Sequence, residues 1–99
     1  MTAPELLLSK GQLWAVVKLC KEATGYDGHN ERVALLSGLT GRQVCSSKEI
    51  TLAEWRRIRD AAYPNWPEND WTMSQQFRAR AQAIMRQFLE DLGQLQLPM

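Results

Sequence analysis

Residue types able to carry covalent or acid–base chemistry are few and far apart in this 99-residue chain. Its one histidine, His29, stands in Gly25-Tyr26-Asp27-Gly28-His29-Asn30, a segment of turn chemistry. A nucleophile–base pair needs the imidazole within hydrogen-bond reach of a serine or cysteine, and no spacing here brings one to it. His29 is therefore expected to be an exposed turn residue. The carboxylates are scattered over helix faces and capping positions, without the pair of differently tuned acids that hydrolytic chemistry uses. Cys20 and Cys45 form no CxxC pair and have a single histidine to join them, which argues against a zinc site or a disulfide framework and for a reducing cytoplasm. Gly38 and Gly41 fit a helix end rather than the phosphate-cradling pattern G-x-x-x-x-G-K. The expectation is a protein that is not an enzyme, with no cofactor, no metal and no small-molecule substrate.

What remains is contact chemistry. Arg56, Arg57 and Arg59 fall within one helical turn, and Arg78, Arg80 and Arg86 fall along a later helix, so two basic surfaces are available to phosphates. Glu54, Asp60, Glu90 and Asp91 are interspersed among them, and the same faces fit an ordinary solvated surface. Twelve Lys and Arg against eleven Asp and Glu leave a formal charge of +1, so any nucleic-acid contact must be local rather than drawn in by a global field. Tyr63, Trp66 and Trp71 offer either a stacking platform for unpaired bases or a plug that locks the last helix. The four tryptophans are expected to be structural.

The elements that must position these residues are helical. Leu13, Val16, Val17 and Cys20 recur at helical spacing after Ser9 and Gln12, a capping box, and Gly25 supplies a stop, which predicts a helix over roughly 10–24. Val33, Leu36 and Leu39 or Thr40 mark one face of a short second helix ending at Gly41. Residues 42–48 read as an ordered crossover carrying one buried apolar residue, Val44. Thr51 and Glu54 form a second capping box, flanked by Ile50 and Trp55 as a hydrophobic staple, so a third helix starts at or near Leu52 and runs to about Ala62. Tyr63-Pro64-Asn65-Trp66-Pro67 is a stiff elbow, because each proline lacks an amide donor and disfavours helix in the residue before it. Phe77, Ala81, Ile84, Phe88 and Leu92 then line one face of the longest helix, capped by Asp70 or by Thr72 with Gln75 and closed by Gly93. These elements imply an all-α fold, a compact four-helix bundle or orthogonal helical array. The domain covers 9–92, with an N-terminal tail over 1–8 and a C-terminal peptide tail over 93–99. No apolar run approaches bilayer length, and the acidic start Met1-Thr2-Ala3-Pro4-Glu5 is unlike a secretory leader, so a cytoplasmic protein with no membrane partner is expected.

The last residues, Gln94-Leu95-Gln96-Leu97-Pro98-Met99, are apolar at alternate positions. They resemble the Q-L-x-L-P-[LM] form of the peptide by which bacterial proteins bind the replicative sliding clamp. That resemblance implies that Gln94 sits in a polar subsite and orients the tail. It also implies that Leu95 and Leu97 fill an apolar groove, Pro98 restricts the backbone and Met99 seats the end. A terminus is readily captured by a partner. The other reading is a tail folded back on the bundle with Leu95 and Leu97 in the core.

A second resemblance covers about half the chain. Ser9-x-x-Gln12-Leu13, then Glu31-Arg32-x-Ala34-Leu35-x-Ser37-x-Leu39-x-Gly41-Arg42-x-Val44-x-Ser46-Ser47-Lys48-Glu49-Ile50-Thr51-x-Ala53-Glu54, is similar to a helical module found at the C-terminal end of phage single-strand annealing recombination proteins and in related phage and actinobacterial proteins. A regulatory family of Mu-like phages has a similar layout. The resemblance implies an accessory of phage-type recombination or replication in a bacterial host that recruits a recombination protein or touches DNA. This chain departs from the pattern in lacking the large annealing domain, in its extra 25–30 segment, and in Trp55, where the module carries a small residue. Physically, Gly41 can stop a helix in the left-handed conformation while Arg42 covers its carbonyl end, so this stretch also reads as a folding signature.

Overall fold

A computed structural model of the chain describes residues 7–96, and for the last three of these the backbone only. Four α-helices account for most of it: α1 over Lys10–Thr24, α2 over His29–Thr40, α3 over Leu52–Ala62 and α4 over Gln75–Gln96. Short 3₁₀ turns at Ser47–Glu49 and Trp66–Glu68 join α2 to α3 and α3 to α4. The only extended pairing among the described residues is a single antiparallel bridge between Leu7 and Thr51, so the fold is all-α.

The two capping boxes set the starts of α1 and α3. Ser9 Oγ accepts from the Gln12 amide while the Gln12 side chain accepts from the Ser9 amide, and Thr51 and Glu54 do the same for α3. Ile50 and Trp55, the staple flanking the second box, are both buried. Gly25 and Gly41 close α1 and α2 at φ of 81° and 75°, a region that costs a residue with a Cβ but not glycine.

Four features differ from the sequence expectation. First, α2 begins at His29, within the segment read as turn, so His29 lies in the first turn of the helix. Gly28 is the N-cap and Glu31 brings a carboxylate to the helix start, where the dipole favours it. Second, α4 is capped by Ser74, whose hydroxyl accepts from the Phe77 amide at 3.3 Å, and not by Asp70 or Thr72. Asp70 instead accepts from the amide and hydroxyl of Thr72 in a turn of its own, which holds its carboxyl below the usual carboxylate range. Third, α4 continues through Gly93 to Gln96, because Gly93 does not take the positive φ that ends α1 and α2. Fourth, only Trp55 of the tryptophans is buried. Trp66 is half-buried, while Trp14 on α1 and Trp71 are 70% and 52% exposed.

The helices converge on one core. Val16, Leu19, Leu35, Leu36, Val44 and Ile50 are almost completely inaccessible, and Phe77, Ala81 and Met85 bring α4 against both α1 and α2. Ser74 donates its amide to the Ala62 carbonyl at 2.7 Å, so the end of α3 and the start of α4 are tied across the proline elbow. Cys20 is part of this core, and burial pushes its thiol up to about 12, whereas Cys45 is exposed. Treating the native protein with a maleimide at neutral pH is therefore expected to give a single adduct, at Cys45, with a second appearing only in denaturant. Two adducts forming at equal rates on the native protein would contradict this packing.

Candidate functional site

The stretch that carried the resemblance to the annealing-protein module is held together by its own side chains. Arg42 donates from Nε and Nη2 to the two carboxylate oxygens of Glu54, each at 2.8 Å, and Nη2 also donates to the Glu49 carbonyl at 2.8 Å. The Ser37 hydroxyl accepts from the Val44 amide at 2.9 Å, and the Glu49 carboxylate accepts from the Cys45 amide at 3.0 Å. Ser46 caps the 3₁₀ turn by accepting from the Lys48 amide, and Val44 and Ile50 enter the core. Glu54 is 9% exposed against 41% for Arg42, so the pair carries a carboxylate into the protein on a guanidinium that still reaches water. The hydrogen bonds from Arg42 lower the Glu54 carboxyl to about 2, with burial opposing them and the Thr51 amide adding to them. These residues therefore have structural work that accounts for their spacing.

The arginines proposed from sequence divide into two sets. Arg59 is engaged within the fold: it pairs with Asp60 at 3.2 Å, and its guanidinium carbon lies 4.0 Å from the centroid of the Trp66 ring. Arg78 lies 3.9 Å from Glu22. By contrast, Arg56, Arg57, Arg80 and Arg86 are exposed and make no ion pair or hydrogen bond among the described residues. The fold brings Arg57 of α3 and Arg80 of α4 to one cleft of about 240 Å³, lined also by Leu39, Thr40, Glu54, Ile58, Ala61 and Phe77. Arg56 and Arg86 lie outside it. Sequence spacing grouped Arg57 with its neighbours on α3, and nothing in the pattern signalled its meeting with Arg80.

The aromatic elbow is part plug and part surface. Tyr63 is buried and donates its hydroxyl to Glu22 at 3.0 Å, and burial, then Glu22, drive its phenol upward. Trp66 donates its indole N–H to Asp60 at 2.8 Å. Trp71 rests edge-on against Tyr63, with centroids 5.4 Å apart, and tilted against Trp66 at 6.4 Å, leaving one side to solvent. Tyr63 and Trp66 thus fill the locking role and Trp71 faces outward.

Of the C-terminal site residues, Gln94 and Leu95 have helical backbone, and Leu97, Pro98 and Met99 lie outside the described residues. Among the described residues no cluster of His, Cys, Asp and Glu has metal-site geometry, and no helix is long and apolar enough to cross a membrane. Fold and site together define a class: a four-helix all-α domain with a basic-rimmed cleft and a glutamine-leucine extension of its last helix. Comparison of the chain with protein families, with curated proteins and with solved structures gives no match.

Proposed function

We propose that this chain is a non-catalytic adaptor of phage or mobile-element DNA replication or recombination that binds the bacterial sliding clamp through Gln94, Leu95, Leu97, Pro98 and Met99. The observation that carries the reading is the hexapeptide Gln94-Leu95-Gln96-Leu97-Pro98-Met99, whose polar and apolar positions match the clamp-binding pattern. Each large apolar side chain seated in a preformed groove contributes on the order of 1.5–3 kcal/mol before ordering costs, enough for useful affinity from three such residues. The resemblance of residues 12–62 to an accessory module of phage recombination proteins supports the same setting for such an adaptor.

The backbone of α4 adds a mechanical element. An extended peptide in a groove requires the last turn of α4, Gln94 to Gln96, to unwind. Gly93 stands at the foot of that turn, and a glycine weakens a helix by about 1 kcal/mol relative to alanine, so the turn opens at low cost. No neighbouring atom stands within 4 Å of a Cβ built at Gly93. Gly93→Ala is accordingly expected to leave the fold intact and weaken clamp binding by up to about fivefold, through helix stability alone.

A binding assay with purified bacterial clamp tests the reading directly. Wild-type protein is expected to bind, and Gln94→Ala combined with Leu97→Ala to abolish binding without altering the circular dichroism spectrum. Equal recovery of clamp by both proteins would remove the proposal. Salt-dependent DNA binding that falls on Arg78→Ala plus Arg86→Ala, with the clamp ignored, would replace it with a nucleic-acid-binding role.

A further inference from the structure

Three clefts among the described residues can be compared by how their charge is balanced. The one beside the elbow holds Glu22 together with Arg78, a pair that neutralises itself. The one between α2 and the later part of α4, lined by Val33, Ala34, Val44, Phe88 and Leu92 among others, holds no charged residue. The third lies between the end of α2, α3 and the first half of α4. It alone combines an apolar floor with uncompensated positive charge.

Its floor is Leu39, Ile58 and Phe77, and the small side chain of Ala61 leaves the mouth open. Arg57 and Arg80 stand on its walls from two different helices. The one carboxylate in the lining, Glu54, is already taken by Arg42 through two bonds of 2.8 Å and does not answer them. Two exposed guanidinium groups that line one cleft and have no carboxylate partner of their own leave its positive charge unanswered, and an incoming acid gains charge-assisted hydrogen bonds from them. A volume of about 240 Å³ fits one large side chain, not a length of backbone.

We propose that this cleft is a docking site for an acidic peptide that presents one large apolar side chain. The apolar side chain enters between Ile58, Phe77 and Leu39, and flanking carboxylates meet Arg57 and Arg80. The chemistry favours a peptide over nucleic acid. The floor of Leu39, Ile58 and Phe77 offers no donors or acceptors to a base edge, and a cleft sized for one apolar side chain suits a peptide better than a sugar–phosphate backbone. The proposal does not rest on the role of residues 94–99.

The test is fluorescence anisotropy with a labelled octapeptide rich in aspartate and carrying one phenylalanine. Controls are the same peptide with alanine in place of phenylalanine, and a labelled oligothymidylate. The aspartate–phenylalanine peptide is expected to bind in the micromolar range. Affinity is expected to fall at least about tenfold with Arg57→Glu plus Arg80→Glu, to fall comparably with Ala61→Trp, which blocks the cleft without changing its charge, and to be largely retained with Arg57→Lys plus Arg80→Lys. All three substituted positions are exposed, and thermal unfolding verifies that each variant folds. Absence of peptide binding, equal binding of the alanine peptide, or full binding by the Ala61→Trp variant would each overturn the proposal. Oligothymidylate binding that is lost in the charge-reversed protein and is not competed by the peptide would overturn it in favour of nucleic acid.

Discussion

Arg42→Ala is expected to destabilise the protein by about 2–3 kcal/mol at neutral pH, at or just below the range for breaking a fully buried ion pair, because Arg42 itself is partly exposed. The magnitude follows from which partner is buried. Removing Arg42 leaves the Glu54 carboxylate, 9% exposed, with only its cap bonds at the start of α3. The carboxyl is held from its ordinary 4.5 down to about 2, a difference of about 3 kcal/mol of which the bonds from Arg42 are the largest cause and the Thr51 cap bonds a smaller one. Glu54→Gln is expected to cost clearly less. Glutamine preserves the capping geometry, and the guanidinium it abandons is 41% exposed and can be solvated. The sign of the pH dependence is fixed by the lowered value. The contribution of Glu54 is fully present above about pH 4.5 and is lost as pH falls toward 2, because the unfolded chain takes up the proton first. Urea unfolding of wild type and Arg42→Ala across that interval checks both statements: the gap between them should be widest near neutrality and close in acid. A gap that stays constant down to pH 2 would show that Arg42 acts by packing alone.

Gly38→Ala is the second large effect, and helix propensity taken alone has the wrong sign for it. In the interior of α2 alanine should stabilise by about 1 kcal/mol. A Cβ at Gly38, however, would lie 2.7 Å from Cγ2 and 2.9 Å from Cδ1 of Ile84 on α4. Cγ2 is fixed to a β-branched carbon and cannot swing aside as the end of a long side chain would, so α4 itself must shift. Overpacking of this kind costs about 1–3 kcal/mol, and the net expectation is a loss of about 1–2 kcal/mol for alanine and about 3 kcal/mol for Gly38→Leu. Ile84→Ala should recover part of the alanine penalty, giving a coupling of about 1 kcal/mol in a double-mutant cycle. A Gly38→Ala protein with an unchanged or higher urea midpoint would refute the close approach of α2 and α4.

These two residues show how differently structure can be hidden. Arg42 and Glu54 were both prominent in the sequence, one after a helix-stopping glycine and the other in a capping box. Their partnership across twelve positions was not visible, because local patterns carry no information about which side chains meet. Gly38 was read together with Gly41 as a helix end, yet only Gly41 takes the left-handed conformation, and Gly38 is small because another helix passes over it. The candidate site divides the same way. Spacing on α3 and α4 identified the arginines as exposed basic faces. Their sorting into Arg59 and Arg78, engaged with acids and an indole, and Arg57 and Arg80, sharing a cleft, required the crossing of the helices.

By itself the sequence determined the number of helices, their all-α class, the two capping boxes, the staple at Ile50 and Trp55, and the burial of Val44. All of these are set by interactions within a few residues of one another, where spacing alone decides geometry. Only the tertiary structure decided that Trp14 and Trp71 face outward, that Ser74 starts α4, that α4 runs past Gly93, and that Arg57 and Arg80 converge while Glu54 is occupied. The convergence of Arg57 with Arg80, the pairing of Glu54 with Arg42 and the tie of Ser74 to Ala62 depend on contacts between elements, whose energies are of the same size as the local preferences they override.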